Sequence, residues 1–208
     1  MKTFFLEKFV RFWRLDDSVI TDSPDLIVPV SYTTLRDRLT NATERITVVA
    51  TEYQRMYPKA FVVMSPCAYM FPGSANREWE YRKAIFETCQ ADIVRARVMN
   101  NSVEEVMAIV EVIKDRGIKN PHVLVVTGEM HMRAVKFIWK KIMPEARVSI
   151  KSVPYWYEYQ PEHFGKRQRS AGMWVYASVA RQIILRTLGV DWFVGRHHPV
   201  IVTQNPSH

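Results

Sequence analysis

The sequence predicts an α/β protein, built as a single Rossmann-like three-layer domain around a mostly parallel five-stranded sheet. Short apolar runs alternate along the chain with longer segments whose apolar residues recur every three or four positions. Strands that alternate with helices of roughly 10–20 residues form right-handed βαβ units, and these produce a parallel sheet covered by helices. A length of 208 residues suits one domain of this kind.

Five apolar runs predict the strands, and helical periodicity predicts the segments between them. The predicted strands are Asp25–Ser31, Phe61–Ser65, Asp92–Val98, Val123–Thr127 and Arg147–Val153. The predicted helices are Thr33–Tyr57, Glu78–Cys89, a helix capped by Asn101 and Ser102 that runs to Arg116 and is closed by Gly117, Met130–Lys141 and Gly172–Leu188. A loop rich in tyrosine and tryptophan, Pro154–Gly165, precedes the last helix.

The two ends of the chain are expected to lie outside this domain. Residues 1–20 are predicted to form an amphipathic helix with a stripe of phenylalanines, Phe5, Phe9 and Phe12. Charged residues interrupt its apolar run, which argues against a signal peptide. The helix either docks on the domain or lies on a membrane surface, because lysine and arginine flank the stripe. Residues 21–196 form the domain, and residues 197–208 are expected to be a flexible tail.

Composition narrows the classes of function. The net charge of +8 permits contact with phosphates, anionic lipid or nucleic acid. The basic residues are scattered and no zinc-finger or RNA-binding motif is found, which argues against a dedicated nucleic-acid binder. Cys67 and Cys89 lack metal-ligand spacing and are expected to be buried thiols. A cytoplasmic location is expected, with peripheral contact to the inner membrane through residues 1–15 as the alternative.

The segment Val123–Arg133, V-L-V-V-T-G-E-M-H-M-R, is the best marker of a site. Its apolar run stops at Thr127 and Gly128 and changes at once to helical periodicity. A strand that leads into a helix through glycine brings free N–H groups and a helix dipole to one point. Ligands of open α/β sheets bind at such carboxyl ends of strands.

Polar residues at the predicted carboxyl ends suit hydrogen bonding to phosphate, ribose or sugar hydroxyls. The candidate ligand-binding residues are Ser31, Ser65, Asn101, Ser102, Glu104, Thr127, Gly128 and Arg133. His131 is the candidate general acid/base, and Glu129 would orient it. The alternatives are structural: Asn101, Ser102 and Glu104 as a helix cap and first turn, and His131 bonded to a backbone carbonyl. No metal site is expected.

The same segments resemble a known family. Residues 127–134, T-G-E-M-H-M-R-A, are similar to a motif of the YdcF/SanA/ElyC-like proteins in which a histidine follows a threonine by four residues. Residues 100–105, N-N-S-V-E-E, resemble the family's Asn-Thr-x-Glu-Asn stretch. Glu80 resembles the acidic residue that starts the family's second helix and is thereby a further candidate for the site. The likeness spans about residues 25–190 in the same order.

The resemblance implies a Rossmann-like domain of largely unknown function, with some members associated with the bacterial cell envelope. It also implies a nucleotide-like ligand such as S-adenosylmethionine. The glycine-rich ends of the family's first two strands are replaced here by Val28–Ser31 and Ser65–Cys67. Close backbone contact with a ligand is therefore expected only at Thr127–His131.

Two functions from different classes remain open at this point. The first is a small-molecule-binding protein that recognises a phosphorylated or nucleotide-like ligand, with His131 as acid/base if the protein is an enzyme. The alternative is a non-catalytic envelope- or membrane-associated factor that acts through protein or lipid contacts. The basic aromatic N-terminus and the Pro154–Gly165 loop motivate this alternative.

Overall fold

The fold is α/β, with five parallel strands in one sheet and helices on both of its faces. The computed structural model describes residues 2–32, 34–68, 72–154 and 170–195. The strands are β1 (Leu26–Pro29), β2 (Phe61–Met64), β3 (Ile93–Arg95), β4 (His122–Gly128) and β5 (Arg147–Val153). The helices are α1 (Lys2–Trp13), α2 (Asn41–Met56), α3 (Ser74–Glu87), α4 (Ser102–Asp115), α5 (Met132–Ile142) and α6 (Ala171–Leu188). The predicted Rossmann-like three-layer fold is confirmed.

The strand order, β3-β2-β1-β4-β5, decides where a ligand can lie. Leu26 of β1 pairs with Phe61 of β2 on one side and with Val123 of β4 on the other. The chain winds outward from β1 to β3 and then crosses back to β4. The point of reversal is therefore between β1 and β4, where the connections after the two strands leave in opposite directions and open a crevice.

Both faces of the sheet are buried, as parallel sheets require. All residues of β4 are buried. Val125 packs in the cluster that α4 and α5 form with Ile109 and Ile138. Leu124, one residue earlier, packs on the opposite face with Ile46 of α2. The sheet thus divides the core into two clusters, and helices pack on the central strands from both faces.

Several boundaries differ from the predictions; among them, α3 begins at Ser74 rather than Glu78. Helix α2 begins at Asn41 rather than Thr33, because the hydroxyl of Thr40 accepts the N–H of Thr43 and caps the helix there. Helix α1 ends at Trp13, short of the predicted residue 20. A separate 3₁₀ turn, Glu129–His131, precedes α5.

Helix α1 docks on the domain against α6 and the 3₁₀ turn. Val10 is buried beside Trp174, and Phe9 is partly buried in the same cluster. Phe5 and Phe12 are 73% and 80% exposed, so the predicted stripe is divided between the domain and solvent. Within the described ranges, no helix has the length and apolar character needed to cross a bilayer. The predicted loop beyond Pro154 and the predicted tail 197–208 lie outside the described residues.

Candidate functional site

A small cleft opens beside the reversal point, between the start of α4, the 3₁₀ turn after β4, and α6. Its polar lining residues are Asn101, Ser102, His131 and Arg181, and the rest of its lining is apolar. Its volume is about 30 Å³ when measured for the centres of water-sized spheres. A single water needs roughly 10–15 Å³ on this scale, so the cleft has room for about two such groups.

Ser102 and His131 form the hydrogen bond at the centre of the cleft. Ser102 is the first residue of α4, and His131 is the last residue of the 3₁₀ turn. Ser102 Oγ lies 3.0 Å from His131 Nε2. The ring of Tyr32, from the loop after β1, meets the imidazole edge-on, with 5.7 Å between the ring centroids. The segments after β1 and β4 are therefore brought together, as the switch-point geometry requires.

The imidazole of His131 is uncharged at neutral pH. Burial, together with the positive charge of Arg181, lowers the pKa of His131 to about 3. A neutral imidazole has one donor and one acceptor nitrogen, so either group of the Ser102–His131 pair can donate. A base this weak abstracts protons poorly. The predicted acid/base role of His131 stays a prediction, and it requires the pKa to rise when a ligand binds.

Arg181 is a cleft residue that the sequence reasoning missed. It is half-buried on α6, and no residue of the described ranges forms an ion pair or hydrogen bond with it. Guanidinium groups keep their charge in proteins, and buried charges are normally paired. A signal for this residue was available, because Arg181 is the sole charged residue between positions 171 and 185 of an otherwise apolar helix.

Thr127 and Gly128 lie just below the cleft, at the end of β4. The hydroxyl of Thr127 is fully buried and has no hydrogen-bond partner among the described residues. A Cβ atom at Gly128 would come within 3.0 Å of the Tyr32 hydroxyl oxygen. The glycine therefore leaves room for Tyr32, whose ring reaches His131.

Two residues of the same segment are engaged by the N-terminal helix region. Glu129 forms an ion pair with Arg14 at 2.9 Å. Arg133 donates from Nε to the carbonyl of Trp13 at 2.5 Å, and its guanidinium stacks over the Trp13 ring. In this arrangement Glu129 does not orient His131, and Arg133 is directed to α1.

The candidates at the start of α4 have structural roles. Asn101 Oδ1 caps the helix by accepting the N–H groups of Val103 and Glu104, and its Nδ2 donates to the carbonyl of Phe193. The carboxylate of Glu104 accepts the N–H groups of Asn100 and Gly195. The polar atoms of Asn101 are thus already in use, while Ser102 keeps its hydroxyl in the cleft.

The remaining predicted residues are not brought into the cleft. Ser65 donates to the carbonyl of Arg97 at 2.6 Å. Glu80 is exposed on α3. The N–H of Ser31 is held by the carboxylate of Glu105 at 2.9 Å.

A buried charged cluster supports this edge of the sheet, and the sequence reasoning missed it. Arg82 and Glu78, one turn apart on α3, form an ion pair of 2.9 Å with both side chains at most 1% exposed. Arg82 donates to the carbonyl of Pro29, and Glu78 accepts the N–H of Cys67. Burial raises the pKa of the neighbouring Glu105 to about 8. The cluster fixes the loops after β1 and β2; the spacing of four between Glu78 and Arg82 was its signal.

A wider groove of about 630 Å³ lies at the opposite, amino edge of the sheet. Two cations line it, the exposed Lys59 and Arg116, and Arg116 pairs with Asp92 at 3.1 Å and stacks over Phe61 at 4.1 Å from the ring centroid. The charge of Arg116 is therefore already balanced, and Lys59 is solvated rather than held in a cleft. No group of three or more metal-ligating side chains is found in the parts of the chain that the structure describes.

Comparisons with protein-family models, with curated proteins and with solved structures find no match to this chain.

Proposed function

We propose that this chain is a small-molecule-binding protein and that its cleft holds one anionic group of a phosphorylated or nucleotide-like ligand. The observation that carries the proposal is Arg181, a cation without a partner among the described residues that lines a mostly apolar cleft. An anion would pair with it through charge-assisted hydrogen bonds, which are about twice as strong as neutral ones.

Side chains, rather than backbone N–H groups, would make most of the contacts. The guanidinium of Arg181 offers a planar fork that matches carboxylate and phosphate oxygens. Ser102 offers a hydroxyl, and the positive end of the α4 dipole adds a smaller attraction. Asn101 already caps the first N–H groups of α4, so the site differs from phosphate loops that bind through the backbone.

The size of the cleft limits what enters it. Room for about two water-sized groups fits the two oxygens of a carboxylate or one edge of a phosphate. The rest of a larger ligand would lie outside, along the carboxyl ends of β1 and β4. The order of motifs similar to the YdcF/SanA/ElyC-like family supports a nucleotide-like ligand and membership of that family. S-adenosylmethionine would enter with its carboxylate.

A ligand panel tests the proposal by thermal shift. The panel contains inorganic phosphate, sugar phosphates, nucleotides, S-adenosylmethionine and small carboxylates. A ligand at 100 times its Kd is expected to raise Tm by about 5–10 °C in a domain of this size. Arg181→Gln should abolish the shift, because it removes the charge that pairs with the anion.

Arg186→Gln is the matched control, since Arg186 lies on the same helix with its side chain exposed. It should leave the shift unchanged. The proposal fails if no member of the panel shifts Tm, or if the two arginine variants respond alike.

A second candidate function, contact with a membrane surface, has its own observation. Phe5 and Phe12 lie seven residues apart on α1 and are mostly exposed, with the basic residues Lys8 and Arg11 between them. Helices with exposed aromatic residues beside lysine and arginine bind the interface of anionic bilayers.

Co-sedimentation with vesicles tests this candidate. The wild-type protein should sediment with phosphatidylglycerol vesicles and not with phosphatidylcholine vesicles. Phe5→Ser/Phe12→Ser should lose the binding, whereas Met56→Ser, which changes an exposed apolar residue at the end of α2, should keep it. Equal sedimentation of the double variant and the wild type would exclude this surface as the contact.

A further inference from the structure

His131 and Arg181 share one cleft that has room for about two water-sized groups. Any anion that enters it must therefore lie close to both side chains. Ser102 is the third polar group within reach, because its Oγ is 3.0 Å from His131 Nε2. An anion in the cleft therefore places its negative charge beside both Arg181 and His131.

We propose that the cleft takes up its anion together with one proton, and that this proton goes to His131. The inference rests on the proposed anion binding and adds how that binding depends on pH. Without an anion, a charged imidazole would face Arg181 with nothing to offset the repulsion. With an anion in place, two positive groups would share one negative group.

The hydrogen bond to Ser102 gives this proton uptake a structural consequence. A protonated imidazole donates from both nitrogens, so Nε2–H would donate to Ser102 Oγ. The hydroxyl proton of Ser102 would then be free to donate to the anion. Protonation thereby fixes the direction of the hydrogen bond and adds a donor to the site.

The other charged groups around His131 are already balanced by partners. On α1 and the 3₁₀ turn, Arg14 pairs with Glu129. On α5, Arg133 is directed to Trp13. On α4, the carboxylate of Glu104 accepts backbone N–H groups. Among the described groups that face the imidazole from these elements, from the Tyr32 loop and from α6, Arg181 is the charge without a partner. The low pKa of the free histidine agrees with this arrangement.

Thermodynamic linkage between proton uptake and anion binding determines how strongly the anion affinity depends on pH. If binding adds one proton, the affinity for the anion rises up to tenfold for each pH unit below the pKa of His131 in the complex. The rise ends near the pKa of the free protein, about 3. An anion that binds without proton uptake shows no such slope.

Sulfate is the probe, because its charge is constant from about pH 4.5 to 8 and its own titration does not contribute. Its Kd is measured by isothermal titration calorimetry across this range, in two buffers of different ionisation enthalpy. The wild type should bind sulfate more tightly as pH falls, and the buffer dependence should report uptake of a proton. His131→Gln keeps a donor near Ser102 but cannot titrate, so its sulfate affinity should be independent of pH.

Histidine Hε1 resonances in NMR provide a measurement on the unaltered protein. Sulfate should raise the apparent pKa of the resonance that is missing in His131→Gln from about 3 into the pH range of the calorimetry, a rise of about two units or more. If sulfate binds with the same pH dependence in both proteins, or binds while the pKa of this resonance stays constant, proton coupling is wrong and the proposed anion site stands. If sulfate fails to bind even at pH 4.5, the coupling is also wrong, and the ligand panel with Arg181→Gln decides the proposed function separately.

Discussion

At the scale of single residues, Thr127 is one of the buried polar side chains that the fold leaves without a hydrogen bond. Its hydroxyl is buried at the end of β4 with no partner among the described residues. A buried hydroxyl without a hydrogen bond costs about 1–3 kcal/mol relative to water. Thr127 lies two residues before the 3₁₀ turn that carries His131, so the free-energy cost of its unsatisfied hydroxyl can be measured beside the proposed site.

We expect Thr127→Val to stabilise the protein by about 1 kcal/mol, because valine keeps the shape and removes the unsatisfied group. The free energy of unfolding is measured in urea without ligand. Thr47→Val is the control: Thr47 Oγ1 donates to the Thr43 carbonyl and accepts from Arg82 Nε, so that change should destabilise. A less stable Thr127→Val would mean that the hydroxyl has a partner, such as a buried water.

At the scale of elements, α3 holds the ends of two strands through one ion pair. Arg82 donates to the carbonyl of Pro29, the last residue of β1, and Glu78 accepts the N–H of Cys67 after β2. Each group is buried, so each depends on the other to balance its charge. Breaking such a pair typically costs about 3–5 kcal/mol, whereas replacing both groups costs much less.

We therefore expect Arg82→Met to cost about 3–5 kcal/mol and Arg82→Met/Glu78→Gln to recover part of that loss. Equilibrium unfolding in urea measures both. The exposed pair Lys83–Glu87 on the same helix has the same spacing of four residues. Lys83→Met should cost less than about 0.5 kcal/mol. Comparable losses of unfolding free energy for Arg82→Met and Lys83→Met would contradict the role of the buried ion pair in holding the two strand ends.

The elements also mark the limit of what the sequence could predict. Apolar runs and helical periodicity located all five strands and the order of the helices, because both depend on local spacing. The start of α2 was missed because Leu35 and Leu39 continue the apolar period, while the cap at Thr40 sets the boundary. The turn after β4 was placed correctly as the point where a strand leads into a helix, but its 3₁₀ geometry depends on contacts with α1 and α6.

The cleft was predictable only in part. Ser102 and His131 were chosen because they lie at the starts of helices that follow strands, and the structure brings them within 3.0 Å. Arg181 comes from α6, 50 residues after His131, and meets it only through tertiary packing. Glu129 and Arg133 had the right residue types, but α1 lies against them. Local patterns identify the edge of the sheet; they do not identify which distant element covers it.

At the scale of the whole molecule, Glu105 and His131 limit stability at opposite ends of the pH range. Burial raises the pKa of Glu105 from 4.5 to about 8, so the folded protein holds a proton that the unfolded chain releases. Its stability contribution is complete below pH 4.5 and is lost as pH rises toward 8. Burial and Arg181 lower the pKa of His131 from 6.5 to about 3, so its contribution is complete above pH 6.5 and is lost as pH falls toward 3.

These signs predict a maximum of stability between about pH 4.5 and 6.5. From pH 6.5 to 8 Glu105 alone of this pair titrates, and the free energy of unfolding should fall by about 2 kcal/mol. Below pH 4.5 His131 gives a loss of similar slope, and His122, whose pKa burial also lowers, adds a loss that begins as pH falls below 6.5. Urea unfolding at steps of half a pH unit measures the curve.

Two variants separate the loss of stability at high pH from the loss at low pH, because each replaces a titrating group with a neutral one of similar shape. Glu105→Gln retains an oxygen that can accept the N–H of Ser31, and it should gain stability over the wild type as pH rises above 4.5. His131→Gln should gain over the wild type as pH falls below 6.5. The difference between wild type and variant is the decisive quantity, since surface carboxylates contribute equally to both and cancel. Parallel curves for Glu105→Gln and the wild type above pH 6.5 would show that Glu105 is already ionised in the folded protein, and that burial at this edge is incomplete.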